Sequence, residues 1–223
     1  MNTLTACALA ILAGYLLGGI PNAFLLARLK GVDIRTVGSG NIGATNVFRI
    51  VSKPLGLLTF VLDAVKGWLP AAVFPTLAAS VCGAPVPDVL GIFCGMAAIA
   101  GHSWSPYLGL KGGKGVATSA GMLLGIAPAA GGIALGAWLL IFLASRYVSL
   151  ASVCAAVIVP AAGWILYGGQ GLALPVTLTV IGALVVWRHR TNIRRLATGA
   201  EHRFHFTKKQ ALRGGDKEPS EGT

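Results

Sequence analysis

The 223-residue chain is 55% apolar and only 11% charged, with a mean hydropathy of +0.74. A soluble domain carries about a quarter charged residues, so the composition excludes an ordinary soluble protein and points to lipid. The net charge of +11 does not mark a nucleic-acid binder, because the positive residues lie between apolar runs and in the tail, where membrane orientation demands them.

Residues 2–27, 89–110, 115–145 and 147–187 hold no Asp, Glu, Lys or Arg, and a helix needs about 20 mostly apolar residues to cross a bilayer. The first run, 4–27, has neither a positive n-region nor a small-residue cleavage site before Arg28. It reads as a retained span rather than a signal peptide. Further spans are predicted at 55–79, 87–102, 115–127, 130–145, 149–167 and 171–187.

The segments between the spans alternate in charge. Residues 28–54 carry Arg28, Lys30, Arg35, Arg49 and Lys53 against Asp33, whereas residues 79–88 have no positive charge. Lys111 and Lys114 come next, then an uncharged turn, Arg146, another uncharged turn, and a tail from Arg188 that holds nine of the 18 positive residues. Residues 115–145 test the count, since as one helix they would run about 46 Å, too long for a hydrocarbon core of about 30 Å. Broken at Gly-Ile-Ala-Pro-Ala-Ala-Gly-Gly, they become two short spans, and only that division keeps all the positive loops on one face. The expectation is an all-α integral membrane protein of about seven transmembrane helices, N-terminus outside and C-terminus cytoplasmic. Residues 1–200 form a single membrane-embedded domain, and 201–223 a basic, flexible cytoplasmic tail whose partner is the anionic leaflet.

Cys7, Cys82, Cys94 and Cys154 are scattered without metal-ligand spacing and read as small buried hydrophobes, with no metal or cofactor expected. Acids are scarce: only Asp33, Asp63, Asp88 and Glu201 precede the end of the tail. Asp63 and Lys66, three apart within a span, read as an internal structural pair.

Four segments between spans carry the chemistry. The first reads Gly38-Ser-Gly-Asn-Ile-Gly-Ala-Thr-Asn-Val-Phe-Arg49. Its GxGxxG spacing lacks the βαβ unit that a dinucleotide fold requires. Successive glycines still let backbone N–H groups converge on an anion; Ser39, Asn41, Thr45 and Asn46 add neutral donors, and Arg49 a fork suited to phosphate. The second segment contains Lys111-Gly-Gly-Lys-Gly-Val-Ala-Thr118. It is not a Walker A loop, but its glycines and Lys114 stand directly before a helix start, a favourable place for an anion. Lys111 serves equally well as a topology marker. The third, Arg146-Tyr-Val-Ser-Leu-Ala-Ser152, puts Ser149 and Ser152 on one helix face. In the fourth, Trp187-Arg-His-Arg-Thr-Asn192, a stop-transfer flank accounts for the arginines but not for His189 and Asn192. Two glycine-rich cradles, several cations and few acids suit a substrate bearing more than one phosphate charge.

These four motifs, in this order and spacing from the first span to about Glu201, closely resemble the bacterial acyl-phosphate-dependent glycerol-3-phosphate acyltransferases. Leu110 departs from the aromatic residue usual in that family. The resemblance implies a metal-independent enzyme of the bacterial cytoplasmic (inner) membrane. Its reaction joins an acyl phosphate and sn-glycerol 3-phosphate into 1-acyl-glycerol 3-phosphate (lysophosphatidic acid) and inorganic phosphate, the first acylation of phospholipid synthesis. On this reading Arg49 and Lys114 neutralise glycerol phosphate, assisted by Asn192 and by Ser149 or Ser152. Ser39, Asn41 and the N–H groups of Gly40, Gly112 and Gly113 cradle the acyl phosphate, although the two phosphates can also be assigned the other way round. His189 is the candidate general base. Because no histidine here has an aspartate five residues later, proton transfer to the departing phosphate is favoured over it. A transporter of organic phosphates is expected to show internal repeats and polar groups near the midplane; here the polar groups crowd one face. A scaffold leaves the glycine-rich loops without a purpose.

Overall fold

The computed structural model describes residues 1–204, and every regular element among them is an α or 3-10 helix, with no strand. Residues 205–223, most of the tail expected to be flexible, lie outside the described residues. Large apolar side chains face outward: Leu4 and Ile165 are 81% exposed and Leu140 is 71% exposed. Such a surface is tolerated by lipid and not by water. Four stretches are long and apolar enough to cross a membrane, namely Thr3–Arg28, Lys53–Cys82, Pro128–Ser145 and Val148–Gln170.

Each predicted span coincides with a helix or a broken helix. The first is broken, with α1 at Thr3–Gly19 and α2 at Asn22–Arg28. Pro21 between them has no N–H and its ring excludes the preceding helical turn. Carbonyls released inside a membrane need donors, and here Ser105 Oγ donates to the Gly19 carbonyl (2.6 Å) and Lys66 Nζ to that of Ile20 (2.8 Å). The second span is α4, Lys53–Ala72, which turns at Val73 into α5, Phe74–Cys82. Then follow α6 (Leu90–Ser103), α7 (Val116–Ile126), α8 (Pro128–Ser145), α9 (Val148–Tyr167) and α10 (Ala173–Arg188). Ala127 ends α7 and starts α8, with Pro128 at the first position of the new helix, so the long charge-free run is indeed two helices.

Two short helices fall where loops were expected: α3, Ala44–Ile50, and α11, Arg190–Ala197. Neither has an apolar run long enough to register as a span.

Small residues let the main crossings close to backbone contact. A Cβ on Gly67 would stand 2.0 Å from the Thr118 carbonyl oxygen, and one on Gly121 1.8 Å from that of Ala64, so α4 and α7 touch main chain to main chain. Helices α1 and α6 meet similarly at Gly18 and Gly101. Ile99, Met122, Leu178 and Val185 fill the centre between α6, α7 and α10. These crossings carry the ends of α4, α6, α8 and α10, and therefore the motif-bearing segments, to one face.

Candidate active site

The first glycine-rich segment is folded around Asn46, which is 3% exposed. Its Nδ2 donates to the carbonyls of Ile34 (3.2 Å), Val37 (3.1 Å) and Asn41 (3.2 Å), and its Oδ1 accepts the Ser39 N–H (3.1 Å). Gly38 has φ +60, and a side chain there would strike Asn46 Oδ1 at 2.4 Å, so glycine is required at this point. The amide expected to reach a substrate thus holds the loop in shape. Ser39, Gly40 and Asn41 are turned toward the cavity described below. The Gly40 N–H, expected in the cradle, donates instead to the Val37 carbonyl at 3.0 Å, because the turn closes on itself. Thr45 is half-buried in the first turn of α3, and Arg49 in its last turn donates to the His202 carbonyl at 3.2 Å.

The second segment lies against the end of α6. Gly113 N–H donates to the His102 carbonyl at 3.0 Å, so this donor is also withdrawn from the expected cradle; among the described residues the Gly112 N–H has no such backbone partner. Arg188 grips the segment from the opposite side, its guanidinium donating to the carbonyls of Ser103 (3.2 Å), Gly112 (3.1 Å) and Gly113 (2.6 Å). Lys114 follows directly and donates its Nζ to Asn192 Oδ1.

Asn192, on α11, is 5% exposed and passes the network on through its Nδ2 to Glu201 Oε1 at 2.8 Å. The same carboxylate accepts from Ser149 Oγ (2.9 Å) and Arg195 Nε (2.8 Å). The residues after α11 cross the site. Phe204 N–H donates to the Arg146 carbonyl at 2.8 Å, and its ring lies 5.3 Å from both Phe48 and Phe142. Residues 201–204 therefore pack on the membrane domain, past the boundary drawn at 200. Ser152 is not brought to this network: its Oγ donates to the Val148 carbonyl (2.8 Å) and accepts from Trp138 Nε1 (3.1 Å).

An open cavity of about 320 Å³ lies where these segments meet, lined by Ser39, Gly40, Asn41, Lys114, Arg188, Arg190, Thr191 and Arg195. Among the described residues, four cations and no carboxylate line it, so its field favours anions. Burial pushes the Lys114 ammonium down to about 8, opposed by the charge of Glu201 and helped by Arg195, Arg49 and Arg188. Burial raises the Glu201 carboxyl, but hydrogen bonds from Arg195, Asn192 and Ser149 outweigh it and leave that group below its ordinary value. His189 is 3% exposed, and its Nδ1 donates to the Val185 carbonyl at 2.8 Å. Burial first, and then Lys114, push it down to about 4, so the ring is neutral at pH 7.

Sequence reasoning missed Arg188, Arg195 and Glu201. The spacing of Asn192 and Arg195, one turn apart on a helix, was the available signal for Arg195. Nothing local announces Glu201 except its rarity as an acid.

A family model described as glycerol-3-phosphate acyltransferase matches residues 8–199. The chain belongs to this family. An Aquifex aeolicus glycerol-3-phosphate acyltransferase is 43% identical over 194 residues, covering 87% of this chain and 97% of the relative. That of Rhodospirillum rubrum is 44% identical over 204 residues, covering 90% of this chain and 92% of the relative. The crystal structure of PlsY (YgiH), an integral membrane glycerol 3-phosphate acyltransferase in its glycerol 3-phosphate form, matches with a TM-score of 0.80 at 41% identity, over 92% of this chain and 98% of that one. Its lysophosphatidic acid form matches with a TM-score of 0.76, also at 41% identity, over 89% of this chain and 95% of that one. The cation-lined cavity has the charge that suits a phosphorylated acceptor.

Proposed function

We propose that the acyl donor is an acyl phosphate, transferred to the 1-hydroxyl of sn-glycerol 3-phosphate to give 1-acyl-glycerol 3-phosphate and inorganic phosphate. The observation that carries this reading is the state of His189. Its Nδ1–H is held by a backbone carbonyl rather than a carboxylate, and the ring is a weak base at about 4. A general base works best with a pKa near the operating pH, so this histidine is poorly placed to take the hydroxyl proton. A donor whose leaving group is itself a base removes the need. The glycerol oxygen attacks the acyl carbonyl, the acyl C–O bond to phosphate breaks, and the proton passes to the departing phosphate.

Lys114, with Arg49, neutralises the glycerol phosphate, and Asn192 and Ser149 hold Lys114 in place through the Glu201 network. Ser39, Asn41 and the Gly112 N–H receive the acyl phosphate, with Arg188, Arg190 and Arg195 opposing the charge that grows on the leaving group. The acyl chain stays in the bilayer beside the outward apolar faces. The chain crosses the bacterial cytoplasmic (inner) membrane seven times, N-terminus outside, with the site in the cytoplasm. Support for this comes from the convergence of the charged segments around Arg49, Lys114, Arg146 and Arg188 on one face of the molecule.

Purified protein in detergent, given labelled glycerol 3-phosphate with either palmitoyl phosphate or palmitoyl-CoA, tests the donor. The expected result is one phosphate released per acyl transferred, with palmitoyl phosphate alone. Equal turnover with palmitoyl-CoA and no phosphate release would overturn it. Labelling of single cysteines introduced beside Arg49 and Lys114 should find both open to the cytoplasm; opposite exposure would defeat the topology.

A further inference from the structure

Asp63, Lys66 and His102 are buried beside the second glycine-rich segment and play no part in the chemistry above. They are 2%, 5% and 8% exposed. Lys66 Nζ stands 2.9 Å from Asp63 Oδ1, and His102 Nδ1 faces the same oxygen at 3.8 Å. Asn22 Nδ2 donates to Asp63 Oδ1 at 3.0 Å. A buried ion pair is a poor source of stability, because apolar side chains of similar volume usually serve as well or better. Mending the break between α1 and α2 accounts for Lys66, which reaches the Ile20 carbonyl, and for the Asp63 bond to Asn22 at the start of α2, but not for His102.

What touches His102 supplies the reason. Its carbonyl accepts the Gly113 N–H, and a Cβ on Gly113 would stand 2.2 Å from His102 Nε2 and 2.8 Å from the Ile42 carbonyl oxygen. At this residue the second segment packs closely against both the imidazole and the first segment. A cavity of about 10 Å³, lined by Asp63, Lys66, His102, Gly112 and Gly113 among others, adjoins the contact; that is room for about one water. Arg188 holds the same two glycines by their carbonyls. The peptide before Lys114 is therefore clamped from two sides, and one side of the clamp is anchored on the buried ions.

We propose that Asp63, Lys66 and His102 are positioning residues for acyl transfer, fixing the Gly112–Gly113 peptide and so setting where the Lys114 ammonium meets glycerol 3-phosphate. The inference rests on the role of Lys114 in the site proposed above. None of the three touches substrate; they act through the loop.

The test uses the full-length protein in detergent and compares the parent with D63N/K66M and H102Q. Removing both charges together leaves no unpaired buried ion to unfold the chain. Calorimetry measures glycerol 3-phosphate affinity on the monodisperse fraction, and steady-state kinetics separate KM from kcat. Groups that orient a binding residue typically cost about 10- to 100-fold when removed, so both variants should bind at least about tenfold more weakly and raise KM for glycerol 3-phosphate. A set that only stabilises the fold would lower yield and melting temperature but leave the affinity of folded molecules within about twofold of the parent, and that result overturns the proposal. Should either variant fail to fold, Asn22→Ala, which deletes one donor to Asp63, decides by the same affinity criterion. Because affinity is read without a donor, failure of the parent to use palmitoyl phosphate counts against the donor and leaves this test standing.

Discussion

Raising the pH from 7 to 9 should weaken glycerol 3-phosphate binding about tenfold, and Lys114→Met should remove that dependence. Burial lowers Lys114 to about 8, against the opposing charge of Glu201. With a group of that strength, about nine-tenths of the amines carry a proton at pH 7 and about one-tenth at pH 9. The sign follows from the direction of the shift: the cation is lost as pH rises through about 8, and affinity for the phosphate falls with it. The other groups assigned to the exchange add little to this dependence. A phosphate ester loses its second proton near pH 6, the arginines stay charged, and His189 at about 4 is already neutral. Lys114→Met deletes a charge-assisted hydrogen bond worth about 1.5–3 kcal/mol, so binding at pH 7 should weaken roughly ten- to a hundredfold and then stay level with pH. Calorimetric titration of the detergent-solubilised protein from pH 7 to 9.5 measures both. A flat parent profile, or a falling limb retained in the variant, would refute the assignment of Lys114 as the phosphate-binding cation.

Asn46→Ala removes a side chain that makes four hydrogen bonds within its loop, and unmet buried partners cost about 1–3 kcal/mol each. It should lower the melting temperature as well as activity; parent-like stability with weaker substrate binding alone would return Asn46 to the substrate. His189→Gln should keep more than about a tenth of the parent rate, measured as phosphate release, since a true general base supplies about 10²–10⁴-fold. A larger loss would make His189 the base. Gly121→Ala places a Cβ 1.8 Å from the Ala64 carbonyl oxygen, and relieving such overpacking costs about 1–3 kcal/mol or more. Thermal melting should show marked destabilisation, and an unchanged melt would disprove the close α4–α7 crossing.

Much of this architecture is legible in the one-dimensional pattern, because lipid imposes a coarse rule on every span. The runs without charge became helices, and the division of residues 115–145 falls at Ala127, where a proline follows and charge alternation required a turn. The break at Pro21 was missed, because hydropathy averages over a single residue. Helices α3 and α11 were missed because their register depends on contacts with the loops they serve. Within the site, Ser39, Asn41 and Lys114 of the glycine-rich motifs line the cavity. Asn46, and the N–H groups of Gly40 and Gly113, turn inward instead, since a glycine-rich turn must first satisfy its own backbone.

The sequence by itself determined where the chain meets lipid and which residue types could hold phosphate, because both depend on local composition: apolar length for one, glycines beside cations for the other. Only the tertiary structure decided which groups act together. Arg188 reaches the Gly113 carbonyl across 75 residues, and Glu201 reaches Ser149 across 52. The physical reason is that a hydrogen bond between distant residues is fixed by how closely the helices approach, and in this chain that approach is set by backbone contact at glycines such as Gly67 and Gly121.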